Sequence, residues 1–170
     1  MNIILIGMMG SGKSTAGRIL AEKLKWKFYD LDSIIESEQK MTVTEIFNQK
    51  GEAAFRELEK QALAKLTGQT NCVIATGGGA PTQDENWKSF GEKSAVVWLK
   101  SSPQVLFQRL EHGGNKTRPL IKDVFSLEKI FKILNEREMF YQRAQFAVET
   151  DGLNPEETVE KIMRLLPLNP

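Results

Sequence analysis

A glycine-rich segment near the N-terminus constrains this chain more than any other part of its sequence. Residues 7–15 read GMMGSGKST and fit the pattern G-x-x-x-x-G-K-[ST]. An apolar run from Asn2 to Ile6 precedes the segment, and helix-forming residues follow it from Lys13 to Leu24. In this setting the loop backbone can turn its N–H groups toward phosphate oxygens at a positively polarised helix start. The segment therefore predicts a site for a nucleoside triphosphate, with ATP as the first candidate.

Different residues of this loop can make different contacts with a bound triphosphate. Lys13 can bridge the β- and γ-phosphates, and the Ser14 hydroxyl can bind Mg²⁺. Contacts to phosphate are predicted for six consecutive residues: Gly10, Ser11, Gly12, Lys13, Ser14 and Thr15. The alternative is an ordinary glycine-rich turn between a strand and a helix.

Length and charge exclude several classes of function. The chain has 170 residues, with 23 Lys and Arg against 22 Asp and Glu, so its net charge is +1. This balance argues against general binding to nucleic acid or to an anionic membrane. The single cysteine, Cys72, and the single histidine, His112, exclude an intrachain disulfide and a histidine-rich metal site. No apolar run has the length of a membrane span and no signal peptide is recognisable, so we expect a cytoplasmic protein.

Strand and helix patterns alternate along the chain, which predicts a parallel sheet covered by helices. Five strands are predicted, at residues 2–6, 27–30, 72–76, 94–99 and 146–149. Helices are predicted between them, including two stretches separated by Gly51 and one over 126–142. Residues 112–124 contain two glycines and lack apolar periodicity, so we expect an exposed loop there. Because no repeat or linker interrupts the pattern, residues 1–170 are expected to form one domain.

A pair of acidic residues follows the second predicted strand. If Asp30 and Asp32 continue that strand, their side chains point to the same side and can face one site. One carboxylate could then hold Mg²⁺ through its water shell, and the other could orient or deprotonate an attacking hydroxyl. The alternative, equally supported by spacing, is that Asp32 caps a helix that begins at Ser33.

Taken together, these segments resemble the shikimate kinases over nearly the whole chain. The phosphate loop is common to many kinases, whereas the combination of G-E-x-x-F-R-x-x-E with G-G-G-A is far more specific. The segments that carry the resemblance stand in the family's order: residues 7–15, 30–32, 51–59, 77–80, 118–120 and 136–137. The resemblance implies an α/β fold of the P-loop NTPase type, with a five-stranded parallel sheet in the order 2-3-1-4-5. It also implies transfer of the γ-phosphate of ATP to the 3-hydroxyl of shikimate, giving 3-phosphoshikimate and ADP for aromatic amino-acid synthesis.

The resemblance also implies a role for individual residues. Lys13, Asp32 and Arg118 correspond to catalytic residues, and Arg118 would reach the ATP phosphates from a mobile lid at about 112–124. The shikimate-binding positions map onto Asp32, Arg56, Gly78, Gly79 and Arg137, and Mg²⁺ maps onto Ser14 and Asp30, the latter through water. The expected partners are ATP and shikimate, with Mg²⁺, and the expected state is a monomer.

Arginine suits this acceptor because its planar guanidinium matches a carboxylate in geometry and charge. Arg137 falls in the apolar stripe of its predicted helix, where an anionic ligand would supply the partner a buried arginine needs. A snorkelling arginine or an internal ion pair is the alternative. For Arg56 the alternative is a surface pair with Glu52 or Glu59, and Glu59 could instead orient Arg56.

Two other functions are compatible with the same core. One is phosphorylation of another small polyhydroxy acid such as gluconate, and the other is nucleotide binding without catalysis. Arg56, Arg137 and the glycine run favour shikimate over gluconate. The presence of Lys13, Asp32 and Arg118 argues against an inactive regulator.

Overall fold

A computed structural model describes residues 1–91, 94–113 and 125–167. In these ranges the chain forms a parallel sheet of five strands: β1 (Asn2–Ile6), β2 (Lys27–Asp30), β3 (Cys72–Ala75), β4 (Ser94–Lys100) and β5 (Phe146–Glu149). The strand order is β2-β3-β1-β4-β5. The predicted fold class is therefore confirmed, including the strand order that the resemblance implied.

Helices cover both faces of this sheet. Within the described ranges they are α1 (Lys13–Leu24), α2 (Leu31–Gln39), α3 (Val43–Thr67), α4 (Asp84–Phe90), α5 (Pro103–His112), α6 (Leu127–Tyr141) and α7 (Pro155–Leu165). A short 3₁₀ turn, Ala80–Thr82, precedes α4. No helix among the described residues is both long and apolar enough to cross a membrane.

The alternation of side chains along β1 explains the three layers. Ile3 and Leu5 point into a core shared with α1 and α7, whereas Ile4 and Ile6 point into a core shared with α2, α3, α5 and α6. All four side chains are completely buried. A continuous apolar run is thus the signature of a central strand that is covered on both faces.

Three strands end side by side at one edge of the sheet. Leu5 of β1 and Asp30 of β2 both pair with Ala75 of β3, so the chain leaves these strands at the same level. Strand order also reverses at β1, which has β3 on one side and β4 on the other. In open α/β sheets this combination marks the crevice where ligands bind.

The helix α3 is bent at a glycine and begins with a reciprocal cap. Thr42 and Glu45 form a capping box, with Glu45 N donating to Thr42 Oγ1 at 3.2 Å and Thr42 N donating to Glu45 Oε2 at 2.7 Å. Gly51 has φ of +82°, a conformation outside the helical range, so the axis changes direction there. The segment after the bend carries Arg56 and Glu59 past the cavity end of the sheet, and the chain that follows it reaches Asn2 at the opposite edge.

Some boundaries differ from the sequence-based prediction. His112 is the last residue of α5, with Gly113 as the C-cap, and does not lie in a loop. The remainder of the predicted lid, with Arg118, lies outside the described residues. The 3₁₀ turn and α4 were not predicted, because seven residues are too few for a helical period to stand out.

Candidate active site

A cavity of about 720 Å³ opens at the carboxyl edge of the sheet, where β1, β2 and β3 end. Side chains from α1, α2, α3, α5, α6 and α7 also reach its wall. The cavity brings together all the predicted site residues that the structure describes: Gly10, Ser11, Gly12, Lys13, Ser14, Thr15, Asp30, Asp32, Arg56, Gly78, Gly79 and Arg137. Arg118 is outside the described ranges.

The loop after β1 has the geometry of a phosphate cradle. Gly12 is the N-cap of α1 with φ of +91°, and in the described part of the chain no side chain caps this helix. The first N–H groups of α1 therefore face the cavity with their partial positive charge. Lys13 is only 8% exposed, and its Nζ donates to the carbonyls of Gly7 at 2.8 Å and Met8 at 2.9 Å. These contacts hold the ammonium group along the loop.

The two aspartates after β2 occupy different structural positions. Asp30 ends the strand and is the N-cap of α2: its Oδ1 accepts a hydrogen bond from Ser33 N at 3.3 Å. Asp32 lies inside the first turn of α2. The predicted helix cap at Asp32 was wrong, because Asp30 is the capping residue, and the extended conformation predicted through Asp32 was also wrong, because the strand stops at Asp30. Both carboxylates still line the cavity.

Two oxygen donors for a metal ion lie close together where the start of α1 meets the end of β2. The Ser14 hydroxyl donates to Asp30 Oδ2 at 2.5 Å. A hydroxyl and a carboxylate are the hard oxygen ligands that Mg²⁺ prefers, and Mg²⁺ usually takes its other ligands from water and phosphate. In residues 1–91, 94–113 and 125–167, no cluster of three or more His, Cys, Asp or Glu side chains could hold a metal ion.

Two guanidinium groups lie against adjacent glycines after β3. A Cβ atom built on Gly78 would stand 3.3 Å from Arg137 Nη1, and one built on Gly79 would collide with the Arg56 guanidinium. Consecutive Cα atoms are about 3.8 Å apart. The two arginines, from α3 and α6, therefore converge on a single small region where one carboxylate could contact both.

Both arginines are largely buried, so Arg137 does not snorkel to solvent and Arg56 is not a solvated surface charge. Arg137 is 8% exposed, and the Arg56 side chain is 12% exposed. Arg56 does pair with Glu52, at 2.8 Å from Nη2 to Oε1, and with Glu59. Burial by itself lowers the pKa of Arg56, but the two glutamates outweigh it and the pKa is raised. Arg56 thus stays charged and is held in place by its own helix.

Glu59 is the most unusual charged residue of the site. Its side chain is completely buried, and burial raises its pKa to about 7, although Arg56 opposes the shift. Glu59 falls in the same apolar stripe as Phe55 and Ala62, just as Arg137 falls in the apolar stripe of its own helix. That signal would have identified a second buried charge beside the cavity.

Comparison with known proteins identifies the family to which the chain belongs. The family model described as shikimate kinase matches residues 9–167. This chain belongs to the shikimate kinase family. The shikimate kinase of Thermodesulfovibrio yellowstonii is 40% identical over 163 residues, which are 96% of this chain and 93% of that protein.

Solved structures of shikimate kinases superpose closely on this chain. The shikimate kinase from Acinetobacter baumannii in complex with shikimate has a TM-score of 0.91 at 36% identity, covering 96% of this chain and 91% of that one. The shikimate kinase from Bacteroides thetaiotaomicron has a TM-score of 0.90 at 38% identity, covering 99% of both chains. The resemblance stated from the sequence motifs is thereby confirmed.

One part of this shikimate kinase cavity was not predicted from sequence. Arg109 reaches from α5 to the end of β5, where Nη2 donates to Thr150 O at 3.0 Å and Nη1 to Thr150 Oγ1 at 3.2 Å. Leu153, Pro155 and Thr158 continue this wall of the cavity. Arg109 and Thr150 are 41 positions apart, so no local pattern could have joined them.

Proposed function

We propose that this chain transfers the γ-phosphoryl group of ATP to the 3-hydroxyl of shikimate, giving 3-phosphoshikimate and ADP. The observation that carries the proposal is the placement of Arg56 and Arg137 against adjacent glycines in the cavity that also contains the phosphate loop. A single cavity thus combines a site for a triphosphate with a site for a small carboxylate. The family membership supports the same reaction.

The acceptor side of the cavity suits a cyclic acid with several hydroxyls. We place the carboxylate of shikimate between the guanidinium groups of Arg56 and Arg137, where charge-assisted hydrogen bonds are strongest. Gly78 and Gly79 present backbone without side chains, so a ring can lie directly against them. Asp32 lines the same cavity and is left to face the hydroxyls.

The nucleotide is placed by elimination within the cavity. Its phosphates lie at the start of α1, where residues 10–15 supply N–H groups and Lys13 supplies a positive charge. The acceptor occupies the side formed by α3 and α6. The base therefore extends toward the remaining wall, which Arg109, Thr150 and Pro155 form with their neighbours.

The chemical step needs a proton acceptor and positive charge around the transferred group. The oxygen of the 3-hydroxyl forms a bond to the γ-phosphorus, the bond from that phosphorus to the leaving oxygen of ADP breaks, and Asp32 takes the hydroxyl proton. Lys13 stabilises the charge that spreads over the phosphoryl oxygens. Arg118 is proposed, from the family motif alone, to add a second positive charge there.

The residues that would hold Mg²⁺ are Ser14, through its hydroxyl, and Asp30, through water. When bound beside the phosphates, Mg²⁺ supplies charge neutralisation for the leaving diphosphate. We also propose that residues 1–170 act as a one-domain enzyme and as a monomer. A cytoplasmic location, where ATP is abundant, is part of the same proposal.

A coupled assay of ADP release tests the proposed reaction. Purified protein is supplied with ATP and Mg²⁺ and with shikimate, gluconate or a nucleoside monophosphate in parallel. We expect turnover with shikimate alone, and loss of that turnover when Mg²⁺ is chelated. Lys13→Met should lose most of the activity while Lys23→Met, an exposed lysine on the same helix, keeps it. Release of ADP with gluconate but not with shikimate would overturn the proposal.

A further inference from the structure

Glu59 is surrounded by charged groups from three helices. Arg56 approaches from its own helix α3, Asp32 from α2 and Arg137 from α6, and each of them affects its ionisation. Oε2 of Glu59 pairs with Arg56 Nη1, and Oε1 faces Gly77. Among the residues described by the structure, this buried Oε1 has no hydrogen-bond partner.

Negatively charged groups around Glu59 already outnumber the positively charged ones. Two guanidinium groups, Arg56 and Arg137, face three carboxylates, those of Glu52, Glu59 and Asp32. A bound acid adds one further carboxylate beside two arginines that are themselves largely buried. Buried charges are tolerated only when they are paired, so one of these carboxylates is better neutral once the ligand is in place.

Of these three carboxylates, Glu59 is the one whose protonation costs the least free energy. Glu52 is exposed to solvent, so its charge is hydrated, and Asp32 has a role as proton acceptor only when it is ionised. Glu59 is completely buried and has an oxygen, Oε1, available for a proton. Protonation would also end the competition between Glu59 and the ligand for the Arg56 guanidinium.

We propose that Glu59 takes up one proton from solvent, on Oε1, when the carboxylate of the acceptor binds between Arg56 and Arg137. This inference rests on the proposed function, since it needs shikimate as the carboxylate ligand. Glu59 is then a positioning residue: it acts through Arg56 and does not touch the reacting atoms. The proton balances the charge that the ligand brings, so the site binds an acid without gaining a net negative charge.

The pKa of Glu59 in the ligand-free site supports proton uptake near neutral pH. Burial raises the pKa of Glu59 to about 7, against the opposing effect of Arg56. Near pH 7 the group is therefore about half protonated before the ligand arrives. An additional negative charge nearby raises the pKa of a carboxyl group further, so binding draws in the missing fraction of the proton.

Calorimetric titration of the complete chain with shikimate measures this uptake directly. The titration is repeated at pH 7.5 in phosphate, HEPES and Tris, whose ionisation enthalpies differ. The slope of the observed enthalpy against the ionisation enthalpy gives the number of protons taken up. We expect more than half a proton for the wild type, and a shikimate Kd that rises above pH 7 by a factor approaching about tenfold per pH unit.

Two variants separate a positioning role from a merely structural one. Glu59→Gln keeps the size and a hydrogen-bond acceptor but cannot titrate, so its slope should be near zero and its Kd independent of pH. Glu52→Gln removes the exposed carboxylate on the same guanidinium and should keep the uptake of the wild type.

Several outcomes would overturn the inference. A slope of zero in the wild type overturns it without recourse to any variant, so a Glu59→Gln protein that failed to fold would not protect it. Equal uptake by wild type and Glu59→Gln also overturns it, because another group would then carry the proton. An assay of ADP release on the same sample separates the two proposals: turnover with no proton uptake removes only this inference, whereas neither binding nor turnover removes both.

Discussion

The hydroxyl of Tyr141 donates a hydrogen bond to the carbonyl oxygen of Gly78 at 2.7 Å. Tyr141 is completely buried and lies one helical turn after Arg137 on α6, so both side chains point to the same end of the cavity. The bond ties the glycine run after β3 to the helix that carries Arg137. Burial raises the pKa of Tyr141, which keeps its hydroxyl protonated as a donor.

Tyr141→Phe removes this bond and keeps the ring. We expect the KM for shikimate to rise about 2–12-fold, the equivalent of one hydrogen bond of about 0.5–1.5 kcal/mol, with little change in the KM for ATP. Steady-state kinetics with each substrate varied in turn measure the split. Tyr29→Phe is the matched control, because its hydroxyl bonds to Gln69 at 2.9 Å and does not line the cavity. An unchanged KM for shikimate in Tyr141→Phe would show that the bond only stabilises the fold.

Asp32→Asn keeps the shape of the side chain and removes its charge. Loss of a general base lowers kcat by about 10²–10⁴-fold. The helix should survive, since an acidic residue in a first turn contributes only about 0.3–1 kcal/mol. Single-turnover kinetics and thermal melting measure the two effects, with the exposed Asp84→Asn as the control. A loss below threefold would leave Asp32 with a purely structural role.

Arg137→Ala removes one half of the carboxylate clamp. A hydrogen bond to a charged group contributes about 1.5–3 kcal/mol, so shikimate Kd should rise about 10–150-fold while ATP affinity stays within a few-fold. Arg137→Lys should restore binding only in part, because lysine lacks the planar fork. Arg143→Ala, an exposed arginine just after α6, serves as the control. Calorimetry that found shikimate affinity unaltered in Arg137→Ala would remove this residue from the clamp.

The raised pKa of Glu59 predicts how stability depends on pH. The folded protein keeps the Glu59 proton up to about pH 7, whereas the unfolded chain releases it near 4.5. Between these values the folded state binds more protons, so this group's contribution to the free energy of unfolding falls as pH rises. Relative to Glu59→Gln, the wild type should therefore lose stability between about pH 4.5 and 7 and change little outside that window. Urea denaturation at pH 4.5, 6 and 8 measures it, and a constant difference would contradict the prediction.

The strands and several helix boundaries could be predicted from the sequence, because buried strands are apolar runs and helix ends carry local capping signals. The apolar run of β1 and the capping box at Thr42 depend on residues close together in the chain. The helix α4 was missed because its seven residues are too few to show a helical period, and because Phe90 packs in a core formed by residues far away in the sequence. Trp87 donates from Nε1 to Pro81 O and packs against Phe90, which is buried in the main core.

The chemistry of the site was easier to predict than its geometry. The motifs identified which residues enter the cavity, but spacing could not distinguish an extended segment at Asp30–Asp32 from the start of a helix. The sequence showed Glu59 as a possible partner of Arg56, but Asp32 of α2 and Arg137 of α6, which also affect its ionisation, come near it only in the folded protein. The cavity wall around Arg109 could not be predicted, because Arg109 and Thr150 belong to two segments that meet only in the folded protein.

The three glycines after β3 leave this chain little freedom to vary at these positions. None of them has a positive φ among the described backbone, so their requirement is for space and not for conformation. A methyl group on Gly77 would stand 2.9 Å from Asp32 Oδ1, one on Gly78 would press on Arg137, and one on Gly79 would displace Arg56. Even alanine, the smallest possible replacement, therefore disturbs a different functional side chain at each position. In a library that randomises the whole gene, these three consecutive codons should be recovered almost unchanged among survivors of selection for growth.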